Sequence, residues 1–166
     1  MGVEHTSEYF LTAYEAHADA IFRHCYFRVF SRELAREMTQ DVFMRTWEYL
    51  AQGKSIGNIR AFLYRVATNL VIDESRKKKE VSLGALQEKG FDAPDSQSSA
   101  RTHRMLDGKF AKEVLATLDP TYRDVVRMRY VDDLMPKEIA EVLGESENVV
   151  SVRIHRGLKQ LREKLG

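Results

Sequence analysis

Disulfide chemistry is the first thing this sequence leaves out, since Cys25 is its one cysteine among 166 residues. A single thiol makes no internal bridge and suits a reducing compartment. Prolines number three and glycines nine, and runs rich in Val, Ile and Thr are few. With so few breakers and strand formers, long stretches keep a helical period, and the expected fold class is all-α. No apolar run approaches the roughly 18 residues of a spanning helix, and the amino-terminal stretch lacks the pattern of a signal peptide. Membrane insertion is therefore not expected, and the expected location is cytoplasmic. Cys25 and the five histidines have no metal-ligand spacing, so neither metal nor cofactor is expected. A Gly-rich phosphate loop, a nucleophile motif and a clustered acid–base pair are missing too, which argues against an enzyme.

Net charge is also small, at +1 from 26 basic and 25 acidic residues. That near-cancellation hides segregation. Residues 1–50 carry a net −3, residues 51–80 a net +4, residues 81–107 a net −1 and residues 108–166 a net +1. An acidic front beside a basic patch suggests two partners of opposite character.

Helical patterning runs from Thr6 to about Lys79. The stretch VSLGALQEKGFDAPDSQSSARTH, Val81 to His103, then brings Gly84, Gly90, Pro94 and a Ser/Gln cluster. Its low apolar content and many turn formers read as a flexible linker. Periodicity resumes near Asp107 and continues to Leu165. Two small helical domains, residues 1–80 and 107–166, are expected on either side of a linker at 81–106.

In the C-terminal unit, LDPTYRDVVRMRYV places Asp119 as N-cap and Pro120 at the first helical position. Val125, Val126, Met128 and Val131 supply its apolar side. The next helix, Pro136 to Leu143, is expected to bury Ile139, Ala140 and Leu143. Gly144 then provides a left-handed C-cap, and Ser146 caps the following helix. Two short helices across a tight glycine turn mark a helix-turn-helix. Beyond Ser146, Val150, Ile154, Leu158, Leu161 and Leu165 fall on one stripe at ~100° per residue. Asn148, Val152, Arg156 and Lys159 fall opposite, flanked by Val149, Ser151, His155 and Arg162. From Asn148 to Arg162 there are four Arg or Lys residues and no acid. Such a face, with donors, cations and a small apolar group, suits a helix in a major groove. Acids there would meet phosphates. A plain solvated basic face is the alternative, and the glycine turn, cap and stripe together favour DNA reading.

In the N-terminal unit, SRELAREMTQDVFMRTWEYL opens on a capping Ser31. Leu34, Met38, Val42 and Tyr49 form one apolar face, and Phe43, Trp47 and Leu50 point the other way. Between them run Glu37, Gln40, Asp41, Met44 and Glu48, a mainly acidic stripe. A helix apolar on two sides sits between neighbours and leaves this stripe outward; alone, it would read as solvated surface. NIRAFLYRVATNLVIDESRKKK follows, from Asn58 to Lys79. Phe62, Val66, Leu70 and Asp73 share a stripe, while Arg60, Tyr64, Arg65, Asn69 and Arg76 decorate other faces. Its terminal cations also suit the helix dipole. Aromatic, amide and basic groups together fit single-stranded nucleic acid, whose bases stack or sit in pockets. The preceding QGKSIGN loop has two glycines and small polar residues that let a base approach closely.

Three motifs, REMTQDVFMRTW, IRAFLYRVATNLVIDESRKKK and LDPTYRDVVRMRYVDDLMPKEIAEVLGESENVVSVRIHRGLKQLREKL, resemble in order and spacing a bacterial RNA polymerase sigma factor. The resemblance is to the extracytoplasmic-function group of the sigma-70 family, which keeps only the region-two and region-four domains. It covers most of the chain outside the linker. It implies a non-enzymatic subunit that binds core RNA polymerase and directs initiation at −10 and −35 promoter elements. By this resemblance Glu37, Gln40, Asp41, Met44 and Trp47 are expected to bind the β′ clamp helices, with the β subunit as a further partner. Lys54, Ser55, Asn58, Arg60, Tyr64, Arg65, Asn69 and Arg76 are expected to face the −10 element as single-stranded DNA. Within that set, the loop at 53–58 and Asn69 would hold a flipped base. Asn148, Ser151, Val152, Arg153, His155, Arg156 and Lys159 are expected to read the −35 element as duplex. An anti-sigma protein is implied as regulator. Met135 and Asp133 depart from the family pattern, which commonly has Ser or Thr at the first and Gly at the second. A duplex-binding dimeric regulator is the rival reading; it needs a dimer seam or ligand pocket that is not evident, and leaves the acidic stripe unexplained.

Overall fold

The computed structural model describes residues 3–84 and 112–165. They fall into two compact units, and among the described residues every regular element is a helix. The first unit packs α1 (Val3–Val29), α2 (Arg32–Ala51) and α3 (Ile59–Gly84) against one another. The second contains α4, helical over 112–116, then α5 (Pro120–Tyr130), α6 (Pro136–Leu143) and α7 (Glu147–Leu165). The all-α expectation is met. No helix among the described residues is long and apolar enough to cross a membrane.

The first unit turns its first corner in two residues. Phe30 adopts a left-handed φ of 54° and its N–H donates to the Tyr26 carbonyl at 2.8 Å. Ser31 then caps α2, its hydroxyl accepting from the Leu34 N–H at 3.2 Å. Ile21, Cys25, Val42, Leu63 and Ala67 are wholly buried where the three helices meet. As its pattern requires, α2 is apolar on two sides, burying Met38, Val42, Phe43 and Leu50. Thr46 is tolerated in that core because its hydroxyl donates to the Val42 carbonyl at 2.8 Å. Phe10 of α1 meets Phe43 and Trp47 edge-on, at 6.2 and 5.3 Å between ring centres.

The structure revises α3 in two respects. Its buried side is Ala61, Leu63, Tyr64, Ala67, Thr68 and Leu70, whereas Phe62 and Val66 are only half-buried. Contact with both α1 and α2 widens the buried arc beyond a single stripe and draws Tyr64 inward. There the Tyr64 ring meets the buried His24 at 5.1 Å, and the Thr68 hydroxyl lies 3.3 Å from His24 Nε2. The second revision concerns the linker. Val81, Ser82, Leu83 and Gly84 are helical, because nothing before Gly84 breaks the helix. Residues 85–106 of the expected linker lie outside the described residues.

In the second unit Asp119 caps α5 as expected, Oδ1 accepting from the Thr121 N–H at 3.2 Å, with Pro120 beginning the helix. The Arg123 guanidinium donates to the carbonyls of Leu115, Ala116 and Leu118 at 3.0, 3.2 and 3.0 Å, closing the end of α4. Asp133 stands at φ 56°, a left-handed position that explains why glycine suits it and why Asp is among the tolerable replacements. Met135 offers no capping oxygen, yet its N–H is satisfied by the Glu138 carboxylate at 3.1 Å, one half of a capping box. Helix α6 buries Ile139, Ala140 and Val142; Leu143, expected inside, is half-buried at the last residue of the helix. Helix α7 buries Val150, Ile154 and Gly157. Leu158 and Leu161 are half-buried and Leu165 is 64% exposed. Tyr122, in the first turn of α5, lies against Gly157, so the last turns of α7 run past the start of α5. There Gln160 accepts from the Asp119 N–H at 3.4 Å, and the Lys164 ammonium donates to the Thr117 carbonyl.

Candidate functional site

The turn before α7 aims that helix. Gly144 takes φ 68° and ψ 30°, which a glycine adopts without a Cβ penalty, and the Glu145 N–H reaches back to the Ala140 carbonyl at 3.1 Å. The Ser146 hydroxyl then accepts from the Val149 N–H at 3.2 Å. With Val150, Ile154 and Gly157 turned inward, Asn148, Ser151, Val152, His155, Arg156 and Lys159 stand together on the exposed side. Two cations, an imidazole, an amide, a hydroxyl and an apolar group share one helical face, with no carboxylate among them. Arg153 lies off this face. It is half-buried, and its Nη2 stands 3.4 Å from Oε1 of Glu145.

A second polar surface lies on the first unit. Arg65, Asn69 and Arg76 are exposed at spacings of four and seven residues, which keep them on one side of α3. Ile72, 59% exposed, stands between Asn69 and Arg76. The other expected −10 residues divide. Tyr64 is 1% exposed and belongs to the core, so it presents nothing to DNA. Arg60 is half-buried, with its guanidinium 5.9 Å from the centre of the Tyr64 ring. Asn58 is the N-cap of α3, its Oδ1 accepting from the Ala61 N–H at 3.1 Å. Ser55 and Lys54 are exposed in the loop, where Gly53 holds a φ of 81°. The Lys54 ammonium lies 5.1 Å from the Tyr49 ring, itself 4.9 Å from that of Phe62. Sequence reasoning missed Ile72 as an exposed group and Tyr49 and Phe62 as a half-buried pair beside the loop. An aromatic on each side of a glycine-containing loop was the available signal.

The third surface is the stripe on α2. Glu37, Gln40 and Met44 are exposed, Met44 by 60%. The Asp41 carboxylate lies 3.5 Å from the Arg45 guanidinium. These residues border a shallow groove of about 400 Å³ whose other wall comes from α3, through Leu70, Asp73, Glu74 and Lys77. Asp73 and Glu74 thus extend the acidic character of α2, an addition that only helix packing reveals. Trp47 does not lie on this stripe; it is half-buried against Phe10.

The described residues thus present an acidic groove and a basic face on the three-helix unit, and an acid-free helix face on the helix-turn-helix unit. Residues 13–81 match the family described as sigma-70 region 2, and residues 111–161 match sigma-70 region 4. The chain belongs to the sigma-70 family, in its extracytoplasmic-function group. It is 30% identical over 152 residues to the ECF RNA polymerase sigma factor SigE of Mycolicibacterium smegmatis, spanning 90% of this chain but only 58% of that protein. With the ECF RNA polymerase sigma factor SigW of Bacillus subtilis it shares 27% identity over 164 residues, covering 91% of this chain and 86% of that one. The fold is that of the sigma factor RpoE from Bartonella quintana, solved with the anti-sigma factor NepR. That likeness has a TM-score of 0.70 at 17% identity and covers 98% of this chain and 98% of that one. CnrH, solved with the cytosolic domain of CnrY, is similar to the same extent, with a TM-score of 0.70 at 21% identity, over 96% of this chain and 88% of that one.

Proposed function

We propose that this chain is a promoter-specificity subunit of bacterial RNA polymerase, acting in the cytoplasm without enzymatic activity of its own. The observation that carries the reading is the acid-free exposed face of α7, in a chain that also carries the acidic α2 groove and the Arg65–Asn69–Arg76 face. A duplex-reading helix needs cations and donors toward phosphates and base edges. The groove offers the opposite charge, as a basic helical partner requires, and is assigned to the β′ clamp helices, with the β subunit as a second polymerase contact. Residues 1–80 would act as the region-two domain, meeting the −10 element as single strand through Arg65, Asn69, Arg76, Lys54 and Ser55. Residues 107–166 would act as the region-four domain on the −35 duplex, with the linker between them. Because the RpoE neighbour was solved with an anti-sigma factor, a protein of that kind is the proposed regulator here.

The test is run-off transcription on genomic fragments with core polymerase and the purified chain as the only sigma subunit. Discrete promoter-dependent transcripts are the expected result. A requirement for a second sigma subunit would make the chain a conventional regulator and end this reading.

A further inference from the structure

Of the four cations between Asn148 and Arg162, Arg153 alone is not exposed. At ~100° per residue it is turned about 60° from Arg156 and about 100° from Val152, away from the exposed face. Its side chain is 28% exposed, and its Nη2 lies 3.4 Å from Glu145 Oε1. Glu145 sits in the turn that precedes α7, the last carboxylate but one before the acid-free stretch.

We infer that Glu145 sets how strongly the helix-turn-helix unit binds DNA irrespective of sequence, by holding Arg153 out of the phosphate contacts. The inference rests on α7 being the duplex-reading helix. Phosphate contacts add affinity to every sequence alike, and each steepens the salt dependence by about 0.9 in the logarithmic slope. A factor that must find few promoters among many competing sites gains from a smaller sequence-independent term.

An exposed ion pair on its own holds little, so the pair needs other anchors, and it has two. The Arg153 side chain, taken whole, is 28% exposed, so most of it is already removed from solvent, which restrains where its guanidinium can go. Glu145 is fixed by its backbone, with its N–H bonded to the Ala140 carbonyl behind the left-handed Gly144. To reach a phosphate, Arg153 must leave both its packing and its carboxylate. Replacing the carboxylate by its neutral isostere removes the second restraint and leaves the turn intact.

The experiment measures binding of the full chain to a random-sequence DNA duplex by fluorescence anisotropy, across a salt series. Arg153→Ala should leave affinity and slope as in the unmodified chain. Glu145→Gln should raise affinity severalfold at low salt and steepen the slope by about 0.9, one added phosphate contact. That gain should vanish in the Glu145→Gln/Arg153→Ala double variant. Three results overturn the inference: a flatter slope in Arg153→Ala alone, no gain in Glu145→Gln, or a gain that survives in the double variant. The first means Arg153 already touches DNA, and the last means Glu145 acts only through its own field. Lys159→Ala separates this from failure of the underlying reading. If it leaves the slope unchanged, α7 does not face DNA and both proposals fall together.

Discussion

Replacing Gly157 by alanine sets two well-known effects against each other with opposite signs. On helix propensity alone, alanine inside α7 should stabilise by about 1 kcal/mol. Packing argues otherwise. A Cβ at Gly157 would stand 2.6 Å from Val126 Cγ2 and 3.2 Å from Tyr122 Cβ, where carbon atoms pack at about 3.5–4.0 Å. Val126 is 3% exposed and β-branched within a helix, so one rotamer is strongly preferred and its methyl cannot swing aside. Tyr122 Cβ is fixed by its backbone. The remaining relief is for α7 to move off α5 by roughly 1 Å. Overpacking costs about 1–3 kcal/mol, and so short a contact belongs at the upper end. With the propensity gain subtracted, the net loss is about 2 kcal/mol, or roughly 10 °C in melting temperature for a unit of this size. Amide exchange reads it directly: amides of α5 and α7 should lose protection while those of α1–α3 serve as an internal reference. Val126→Ala removes the opposing methyls, so the double variant should be less destabilised than the two single losses added together. A stabilised Gly157→Ala, or simple additivity with Val126→Ala, would refute the packing argument.

Charge reversal at Asp41, which is half-buried with its side chain 44% exposed beside Arg45, should leave stability within about 0.5 kcal/mol. Asp41→Lys should nevertheless compete poorly for core polymerase, and unchanged affinity would reduce the α2 stripe to solvated surface. Asn69→Ala should slow open-complex formation, followed with a fluorescent base in the −10 element, and keep both its melting temperature and −35 duplex binding. Tyr64→Ala should behave in the reverse way and lose ~3–5 kcal/mol of stability, as befits a side chain 1% exposed. Arg156→Ala, assayed on a −35 duplex library, should flatten preference at one or two adjacent positions, a bidentate contact being worth ~1–3 kcal/mol of discrimination. Lys159→Ala should weaken all sequences about equally and reduce the salt slope by roughly one unit.

What the sequence made legible depended on how local the cause was. Helix ends were readable, because Ser31, Asp119, Gly144 and Ser146 act within three or four residues of themselves. The exposed face of α7 was readable too, since one buried stripe leaves one opposite stripe. Helix α3 was harder. It packs on two neighbours, and periodicity cannot say how wide the buried arc will be, so Tyr64 passed for a surface group and Phe62 for core. The groove beside α2 needed Asp73 and Glu74 from a different helix, and no pattern within either helix announces that they meet. Arg153 likewise depends on Glu145, eight residues away across a turn.

Asn58 and Asn69 carry the same amide, yet helix geometry gives them different work. Asn58 stands at the start of α3, where the first N–H groups have no intrahelical acceptor. Its carboxamide oxygen fills that need with the Ala61 N–H, so using that oxygen for a base would uncap the helix at a cost of about 1 kcal/mol. Asn69 stands mid-helix and exposed, where the backbone groups beside it are already paired along the helix. A ligand can engage its amide without disturbing the fold, and Arg65 four residues before it adds a cation on the same side. Polar residues near a candidate site are therefore worth ranking by what the backbone already asks of them. On that ranking Asn69, Arg156 and Lys159 remain available to nucleic acid, whereas Asn58 and Ser146 are first of all caps, and their loss should appear in stability before it appears in promoter choice.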